Sequence, residues 1–462
     1  MERIPTAAPV AAIVLAAGLG TRMKSALPKA LHAVGGRPVI GHIAHELGRL
    51  GVAKAVLVVG PGMEGVLAAA RAAAPDVAFE AAIQTDRLGT AHAALHARTA
   101  LDGFAGDVLV ALGDAPFVSA ETFAKLLAAL RADPKPALAV LGVRVPAPNS
   151  FGRLVVSASG DLERIVEAKE ANAEEARIDF VNSGVMAFDG AGLFDLLAGI
   201  GNANAKGEYY LTDAVERARA AGRAVRAVEG ARDEWRAADD KVQLAELEAW
   251  FQAKKREAAM RAGVTLVDPA SVWFSHDTEI GADTVVGPAT FFGPGVRIGR
   301  NVEIKGFCHF EGATVADGAI LGPYARLRPG AAIGPGAHIG NFVEIKNASV
   351  EAGAKVNHLT YIGDARVGAK ANIGAGTITC NYDGFGKFHT DIGAGAFVGS
   401  NASLVAPVKI GDGAIIGAGS VVARDVPADA LAIERAPLTV REGWAKMFRT
   451  RRAAEKAAKK KG

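Results

Sequence analysis

The chain has 462 residues, half of them hydrophobic, and a formal net charge of +3. This length and apolar content are typical of two or three globular domains and exclude a chain dominated by disorder. Because nine Lys/Arg residues and two Glu residues fall in 441–462, the rest of the chain is mildly acidic, so we interpret the basic end as a solvated tail and expect no nucleic-acid partner.

The two cysteines, Cys308 and Cys380, are far apart and lie outside any C-x-x-C motif. They indicate neither a disulfide framework nor a zinc site, and we expect a reducing, cytoplasmic location. The apolar run 8–18 is too short to span a membrane and continues directly into a glycine-containing turn. We interpret it as a buried first strand and expect no membrane span.

Between residues 10 and 230, short β-rich runs alternate with stretches rich in Ala and Leu. The runs are Ala12–Leu15, Ala55–Val59, Asp107–Leu112 and Leu138–Val143. This alternation is typical of a parallel sheet with crossover helices, so we assign 1–236 to one α/β domain.

A single helix is predicted next, and we assign 237–262 to a connector helix. Apolar residues recur at helical spacing and Gly263 follows the pattern. The apolar residues are Val242, Leu244, Leu247, Trp250 and Phe251.

From Ile280 onward, an aliphatic or aromatic residue recurs at every sixth position and is commonly followed by glycine. The positions are Ile280, Val286, Phe292, Ile298, Ile304, Phe310, Leu321, Leu327, Ile333, Ile339, Ile345, Ile392, Val398, Leu404, Ile410, Ile416 and Val422. A period of six fits short strands that wind into coils with the sixth residue pointing inward. We therefore predict a parallel β-helix over 263–435 and a basic tail over 436–462. The polar and aromatic stretch 380–390 interrupts the column and predicts a functional loop.

The segment Leu15–Lys29, LAAGLGTRMKSALPK, follows the first predicted strand. A dinucleotide fingerprint would need a third glycine where Met23 stands, and a Walker A loop would need Gly-Lys-Ser/Thr. Neither motif is present, but a run of backbone N–H groups beside Arg22 and Lys29 suits a phosphate. The alternative is a merely tight turn, which explains the glycines but not the basic residues.

The pattern L-x-x-G-x-G-T-R-M-x-x-x-x-P-K in this segment resembles the nucleotide-binding turn of sugar-phosphate nucleotidyltransferases. Further matches follow as QTDRLGTAHA, LGDAP, IVEAKEA, VNSGV and GEYYLTD, and then as RLRPG, FVEIK, NHLTYIGD, ANIGAGTITCNYDG and GKFHT. Nearly the whole chain resembles the bacterial bifunctional N-acetylglucosamine-1-phosphate uridylyltransferase/glucosamine-1-phosphate acetyltransferase family. The resemblance implies a Rossmann-like α/β nucleotidyltransferase domain with a mostly parallel sheet, a C-terminal left-handed parallel β-helix, and synthesis of UDP-N-acetylglucosamine.

The resemblance implies that the N-terminal site binds UTP and N-acetylglucosamine-1-phosphate with Mg²⁺. Arg22 and Lys29 would meet the phosphates and act in catalysis, and Asp114 would ligate Mg²⁺. The other implied contacts are Leu15, Gly18 and Gly20 in the turn, Gln84, Gly89 and Thr90 at uracil, and Gly152, Glu167 and Asn182 at the sugar. The transfer needs no covalent nucleophile, because the protein mainly positions groups and neutralises charge.

Two positions depart from the family pattern. Leu112 stands where the family often has Tyr, and Asp239-Asp240 stands where the family has an Asn-Asn pair. We expect Asp240 to be a second magnesium ligand in the nucleotide site, since a carboxylate can coordinate Mg²⁺. The alternative is that the pair caps the following helix. A cap at Asp239 would leave Asp240 free, so both interpretations can hold at once.

The resemblance also implies an acetyltransferase site in the repeat region, with acetyl-CoA as co-substrate. His358 would be the general base that takes a proton from the glucosamine amine, a task that suits an imidazole. The implied glucosamine-1-phosphate contacts are Arg328, Lys346, Tyr361, Asn372 and Lys387. The implied acetyl-CoA contacts are Ala375, Asn381, Tyr382, Ser400, Ala418 and Arg435.

In the family the β-helices associate as trimers, which implies a homotrimer here. Two alternatives stay open: a single-activity sugar-1-phosphate nucleotidyltransferase whose β-helix only oligomerises, and a nucleotide-sensing scaffold without turnover. The joint presence of His358, Lys346 and Asn381-Tyr382 argues against the first alternative. Asp114 and Lys29 argue against the second, although the Leu112 departure keeps it open.

Overall fold

A computed structural model describes residues 4, 8–158, 160–204, 206–231 and 233–459 of the chain. The chain divides between Lys255 and Arg256 into two compact units, called here the N-terminal unit and the C-terminal unit. The predicted four-part division of the chain stays a prediction, and residues 460–462 of the basic tail lie outside the described residues.

The strands of the N-terminal unit are rich in Val, Ala, Leu and Ile, which suit a sheet buried on both faces. They are β1 (Val10–Leu15), β2 (Ala33–Val34), β3 (Arg37–Pro38), β4 (Lys54–Val59), β5 (Ala78–Ile83), β6 (Asp107–Leu112), β7 (Leu138–Arg144), β8 (Arg153–Val156), β9 (Leu162–Val166), β10 (Phe180–Asp189) and β11 (Val225–Glu229). The helices are α1 (Val39–Arg49), α2 (Glu64–Ala73), α3 (Thr90–Leu95), α4 (Ala120–Leu130), α5 (Gly190–Ala198), α6 (Asp213–Ala220) and, across the unit boundary, α7 (Lys241–Arg261).

The main sheet of this unit has the strand order β11-β7-β10-β6-β1-β4-β5. β1 pairs in parallel with β4 and β6, whereas β10 runs antiparallel to β6 and β7 and carries β8 and β9 beside it. Ile13 and Val14 in β1 are fully buried, because helices pack on both faces of the sheet. The predicted α/β fold with a mostly parallel sheet is confirmed.

Parallel pairing places the carboxyl ends of β1 and β6 side by side. Leu15 pairs with Leu112, and Gly113 N donates a hydrogen bond to Leu15 O at 2.8 Å. The turn after β1 and Asp114 after β6 therefore lie at the same edge of the sheet. In open α/β sheets this is the edge at which ligands bind.

The first part of α7 packs within the N-terminal unit. Leu247 is buried in a small cluster with Met23, and Leu244 and Phe251 pack against that cluster. Met23, which stands where a dinucleotide fingerprint needs glycine, is thus a core residue. Val242 differs from the rest of the predicted apolar stripe, because it is 69% exposed.

The C-terminal unit is built from short strands. They are β12 (Thr265–Leu266), β13 (Glu279–Ile280), β14 (Val285–Val286), β15 (Phe291–Phe292), β16 (Arg297–Ile298), β17 (Glu303–Ile304), β18 (His309–Phe310), β19 (Thr314–Val315), β20 (Ile320–Leu321), β21 (Arg326–Leu327), β22 (Ala331–Ile333), β23 (His338–Asn341), β24 (Glu344–Val350), β25 (Lys355–His358), β26 (Tyr361–Val367), β27 (Asn372–Ile373), β28 (Ile378–Cys380), β29 (Thr390–Ile392), β30 (Phe397–Val398), β31 (Ser403–Val405), β32 (Val408–Ile410), β33 (Ile415–Ile416), β34 (Val421–Val422) and β35 (Leu431–Ala432). A terminal helix, α8 (Trp444–Lys459), follows.

These strands pair in parallel with the equivalent strand of the next coil, for example in the order β12-β14-β17-β20-β23-β25-β27-β30-β33-β35. The sixth-position residues stack into a buried column: Phe310 pairs with Leu327, Leu327 with Ile345, and Ile345 with Ile362. All four are fully buried, whereas Ile280, near the first coil, is only partly buried. The predicted left-handed parallel β-helix is confirmed.

No helix in the described ranges has both the length and the apolar character needed to cross a membrane.

We predict that Phe310→Ala destabilises the β-helix by about 3–5 kcal/mol, because it leaves a cavity beside Phe292 in the buried column. Urea unfolding followed by circular dichroism measures this change. Phe385→Ala is the matched control, since Phe385 is 98% exposed and its loss is expected to cost less than about 0.5 kcal/mol. Equal destabilisation by the two variants would contradict the assignment of the column as the core.

Candidate functional site

The turn after β1 forms one wall of a cleft of about 590 Å³, called here the Lys29 cleft. Its lining includes Leu15, Gly18, Gly20, Arg22, Lys29, Thr90, Asp114, Glu208 and Asp239. Lys29 Nζ donates to Asp114 Oδ2 at 2.6 Å and also to Asp239 Oδ1, and Arg22 Nη2 lies 2.9 Å from Asp239 Oδ2. Two cations and two carboxylates therefore meet in this cleft.

Gly20 makes this turn possible. Its φ is +60°, and a Cβ there would lie 2.9 Å from Lys29 Cβ. The chain then enters the 3-10 segment Thr21–Met23, in which Met23 is buried and the Arg22 side chain is 69% exposed. The glycine thus brings an exposed guanidinium close to the largely buried Lys29.

The ionisation of Lys29 and Asp239 depends on their contact. Burial alone would lower the pKa of Lys29, but the charge of Asp114 and the hydrogen bonds to Asp114 and Asp239 outweigh it and raise that pKa. Burial alone would raise the pKa of Asp239, but the hydrogen bond and charge of Lys29, together with Arg22, lower it. Both groups are therefore held in their charged forms.

The Asp239-Asp240 pair divides its roles in the opposite way to the expectation. Asp240 Oδ1 accepts a hydrogen bond from Gln243 N at 2.9 Å, so Asp240 caps the first turn of α7. Asp239 instead turns into the Lys29 cleft, and its backbone N donates to Gln243 Oε1 at 2.7 Å. The capping alternative therefore holds for Asp240 and not for Asp239, and Asp239, rather than the expected Asp240, faces the cleft in which a metal would bind.

The donor chemistry of the Lys29 cleft fits a divalent cation. No group of three or more His, Cys, Asp or Glu side chains suited to a metal occurs among the described residues. However, Asp114 and Asp239 converge on one ammonium group, Lys29 Nζ. Hard cations such as Mg²⁺ take one or two protein carboxylates and complete their shell with phosphate oxygens and water.

A second cleft of about 490 Å³, called here the Asn182 cleft, shares Thr90 with the first. Asn182 N donates to Gly152 O at 2.8 Å, and Asn182 Oδ1 accepts from Gly184 N at 2.9 Å. Leu112 packs against Gly184 in its wall, and Glu167 lines it as well. Leu112, which departs from the family pattern, therefore supplies apolar surface to this cleft.

Gln84, Gly89 and Thr90 lie together at the start of α3. Gln84 is 4% exposed and its Nε2 donates to Gly89 O at 3.4 Å. Gly89 has a φ of +114°, and a Cβ there would lie 2.4 Å from Tyr209 O. Thr90 Oγ1 accepts a hydrogen bond from Leu211 N at 2.9 Å. The GEYYLTD segment thus packs directly on this loop.

In the C-terminal unit, His358 lies at a corner of the β-helix. Its Nδ1 is 2.6 Å from Asn341 Oδ1. A carbonyl oxygen only accepts hydrogen bonds, so in the neutral imidazole this contact favours the tautomer with the proton on Nδ1 and the lone pair on Nε2. This is the tautomer that a general base needs.

The same corner continues along successive coils. Gly376 N donates to His358 O at 3.2 Å, Asn401 N to Ala375 O at 2.7 Å, and Gly419 N to Ser400 O at 2.8 Å. Ala418 precedes Gly419, and the side chain of Arg435 passes close to that glycine. His358, Ala375, Ser400, Ala418 and Arg435 therefore line one edge of the solenoid, with the histidine at one end.

A polar cluster occupies a different corner. Asp364 accepts hydrogen bonds from Asn347 Nδ2 at 2.7 Å and from Asn381 Nδ2, and it lies 3.6 Å from Lys346 Nζ. Burial would raise the pKa of Asp364, but the hydrogen bonds from Asn347 and Asn381 and the charge of Lys346 lower it. Tyr361 Oη is 3.5 Å from Asn381 Nδ2.

The remaining predicted residues pair locally. Arg328 Nη1 is 2.8 Å from Glu344 Oε1. Lys387 Nζ lies 4.4 Å above the Tyr382 ring in the 380–390 loop. Lys346 and Asn381 are therefore linked through Asp364, and Lys387 contacts Tyr382 directly. Within the part of the chain that the structure describes, no hydrogen bond or ion pair joins these residues to His358.

Sequence reasoning missed the partners of these residues. The sequence leaves a cap at Asp239 open as an alternative, and it suggests no role for Asn341 or Glu344. Glu344 lies within the quoted motif FVEIK, so that motif carried a signal for it. Asn341 becomes visible only from the register, which pairs it with His358 across β23 and β25.

Comparison with known proteins identifies the family. Residues 12–177 match the MobA-like NTP transferase domain, and 312–347 and 389–424 match the bacterial transferase hexapeptide (six repeats). The Bifunctional protein GlmU of Paramagnetospirillum magneticum is 55% identical over 97% of this chain and 99% of its own length. That of Rhodospirillum rubrum is 60% identical over 95% of this chain and 97% of its own. The chain belongs to the bifunctional GlmU family.

Membership of the GlmU family confirms the resemblance and the enzyme prediction. The chain combines N-acetylglucosamine-1-phosphate uridylyltransferase and glucosamine-1-phosphate acetyltransferase activities and makes UDP-N-acetylglucosamine. Its substrates are small molecules, and the family uses a divalent metal and acetyl-CoA. The single-activity and scaffold alternatives are not favoured, because the bifunctional relatives match almost the whole chain.

We predict that Asn341→Ala lowers the rate of acetyl transfer at least about tenfold, because the proton on His358 is then free to move to Nε2. Release of the CoA thiol, followed with a thiol reagent, measures the rate. Uridylyl transfer is the internal control and is expected to stay unchanged. An unaltered acetyl-transfer rate and pH profile would contradict the role of Asn341.

Proposed function

We propose that 1–236 carry uridylyl transfer, that 263–435 carry acetyl transfer, and that 237–262 connect them and also supply Asp239 to the uridylyl-transfer site. The observation that carries the N-terminal assignment is the convergence of Lys29, Arg22, Asp114 and Asp239 in one cleft. Cations suited to phosphate stand there beside carboxylates suited to a metal. The Asn182 cleft, joined to it at Thr90, takes the sugar.

In the uridylyl transfer, a phosphate oxygen of N-acetylglucosamine-1-phosphate attacks the α-phosphorus of UTP, and pyrophosphate leaves. Arg22 and Lys29 hold the phosphates and offset the charge that develops on them. Gln84, Gly89 and Thr90 form the uracil side of the site. Mg²⁺, held by Asp114 and Asp239 rather than by Asp240, would neutralise phosphate charge when bound.

The sugar side of this reaction lies in the Asn182 cleft. Asn182, Glu167 and the backbone at Gly152 contact N-acetylglucosamine, since Asn182 N donates to Gly152 O and the Glu167 carboxylate passes close to Gly152. Leu112 packs in the same wall and gives an apolar surface to the bound sugar or nucleoside.

In the acetyl transfer, the glucosamine amine attacks the thioester carbonyl of acetyl-CoA. His358 Nε2 takes the proton from the nitrogen, the C–S bond breaks, and CoA leaves with a proton as the thiol. The edge formed by Ala375, Ser400, Ala418 and Arg435 carries the length of the coenzyme, and Asn381 and Tyr382, which lie at another corner, complete the site from a neighbouring copy in the proposed trimer. Arg328, Lys346 and Lys387 hold the sugar phosphate, and Tyr361 and Asn372 hold the sugar.

The two reactions follow one another, because the product of acetyl transfer is the sugar substrate of uridylyl transfer. We place them in the cytoplasm, a location that suits two unpaired cysteines, Cys308 and Cys380.

We further propose that the chain is a homotrimer through its β-helix. Phe307, Tyr324, Phe342 and Leu359 form an apolar ladder along one corner, each more than 45% exposed. The ring centroids of Phe307 and Tyr324, and of Tyr324 and Phe342, are 5.0 Å apart. A continuous exposed apolar strip favours burial against further copies of the chain. The family resemblance gives the number of copies.

We predict that His358→Ala lowers acetyl transfer at least about a hundredfold and leaves uridylyl transfer intact, since it removes only the base. Asp114→Ala is expected to do the reverse. Pyrophosphate release and CoA release, assayed separately on each folded variant, measure the two reactions. Loss of both activities from either substitution would contradict the division into two sites.

We predict that Tyr324→Glu shifts the protein from trimer to monomer, because it places a charge in the middle of the apolar ladder. Light scattering coupled to size-exclusion chromatography measures the mass. Phe385→Glu, on the exposed 380–390 loop, is the control and should remain trimeric. A trimeric Tyr324→Glu variant, or a monomeric unmodified protein, would count against the ladder as the interface.

A further inference from the structure

Asp239 contacts both cations of the Lys29 cleft. Its two carboxylate oxygens bind different partners: Oδ1 accepts from Lys29 Nζ, and Oδ2 lies 2.9 Å from Arg22 Nη2. Lys29 is also bound to Asp114 at 2.6 Å. The cluster therefore holds two positive and two negative charges, and its cations are already paired.

This pairing has a consequence for nucleotide binding. Each cation that would bind phosphate is paired with a carboxylate that would bind the metal. A triphosphate that enters without a metal has to draw Arg22 and Lys29 away from their carboxylates, and it then lies beside two carboxylates that no cation compensates. Repulsion between the phosphates and these carboxylates opposes nucleotide binding. The repulsion is strong near Lys29, because its side chain is only 13% exposed and water screens the charges less there.

We propose that Asp239 couples metal binding to nucleotide binding by holding Arg22 and Lys29 until a divalent cation takes over its carboxylate. A metal on Asp114 and Asp239 frees both basic side chains to face phosphate. Such coupling is reciprocal, so the nucleotide tightens metal binding by the same factor. This inference rests on the proposed function of the Lys29 cleft.

The charge of Asp239 can be tested apart from its shape. Asn at this position keeps a carbonyl oxygen that can ligate a metal, but it has no negative charge to hold Arg22 and Lys29. Asp240→Asn is the matched control, because Asp240 caps α7 and Asn is an equally good cap. Both substitutions remove one carboxylate from the same dipeptide.

The experiment measures the dissociation constant of UTP by calorimetry, in EDTA and in saturating Mn²⁺, for the unmodified chain and both variants. N-acetylglucosamine-1-phosphate is left out, so UTP has no acceptor and is not consumed. For each protein we take the ratio of the UTP dissociation constant in EDTA to that in Mn²⁺. The affinity of Mn²⁺ for free UTP is the same in all three experiments, so it cancels when these ratios are compared. Electron paramagnetic resonance measures Mn²⁺ binding without UTP.

We expect Asp239→Asn to tighten metal-free UTP binding and to reduce the ratio by at least about fivefold. Asp240→Asn should keep the ratio within about twofold of the unmodified chain. Unchanged or weaker metal-free UTP binding in Asp239→Asn would overturn the coupling role. Unchanged Mn²⁺ affinity of Asp239→Asn without UTP would overturn the metal assignment instead. Failure of the unmodified chain to bind UTP would overturn the proposed function itself.

Discussion

Lys29 binds carboxylates from two distant segments of the chain, and the N-terminal site depends on that convergence. Asp114 follows β6 and Asp239 precedes α7, while Lys29 follows the turn after β1. The parallel pairing of β1 with β6 brings the first two segments together, and the packing of Leu247 against Met23 brings in the third. The sheet and the start of α7 therefore assemble a charge cluster that no single segment contains.

The C-terminal site follows a different constraint, which is the stacking of identical coils. Because each coil repeats the backbone path of the previous one, residues one coil apart lie in register. Asn341 is thereby placed against His358, and Ala375 and Ser400 continue the same edge. Binding residues for a long coenzyme can thus be spread over many coils and still form one line. The Asp364 cluster lies at another corner, which suits a site completed by a neighbouring copy in the proposed trimer.

Much of this architecture could be predicted from the sequence, because it depends on periodic patterns. The six-residue period predicted the buried column, including Phe310 and Ile345, and the β-rich runs predicted the main sheet. Side-chain direction at Asp239 and Asp240 could not be predicted. Either of two adjacent residues before a helix can place its side chain against a backbone N–H group of the first turn. Only the observed geometry shows that Asp240 does so. The Asn341 contact likewise depends on strand register.

One chain performs two successive transfers. The most direct test supplies glucosamine-1-phosphate, UTP, Mg²⁺ and acetyl-CoA labelled with ¹³C in the acetyl group, and follows the products by mass spectrometry. We expect UDP-N-acetylglucosamine that carries the label, together with free CoA and pyrophosphate. Labelled N-acetylglucosamine-1-phosphate without any UDP-sugar would contradict the role given to the Lys29 cleft, and the absence of any labelled sugar would contradict the role given to His358.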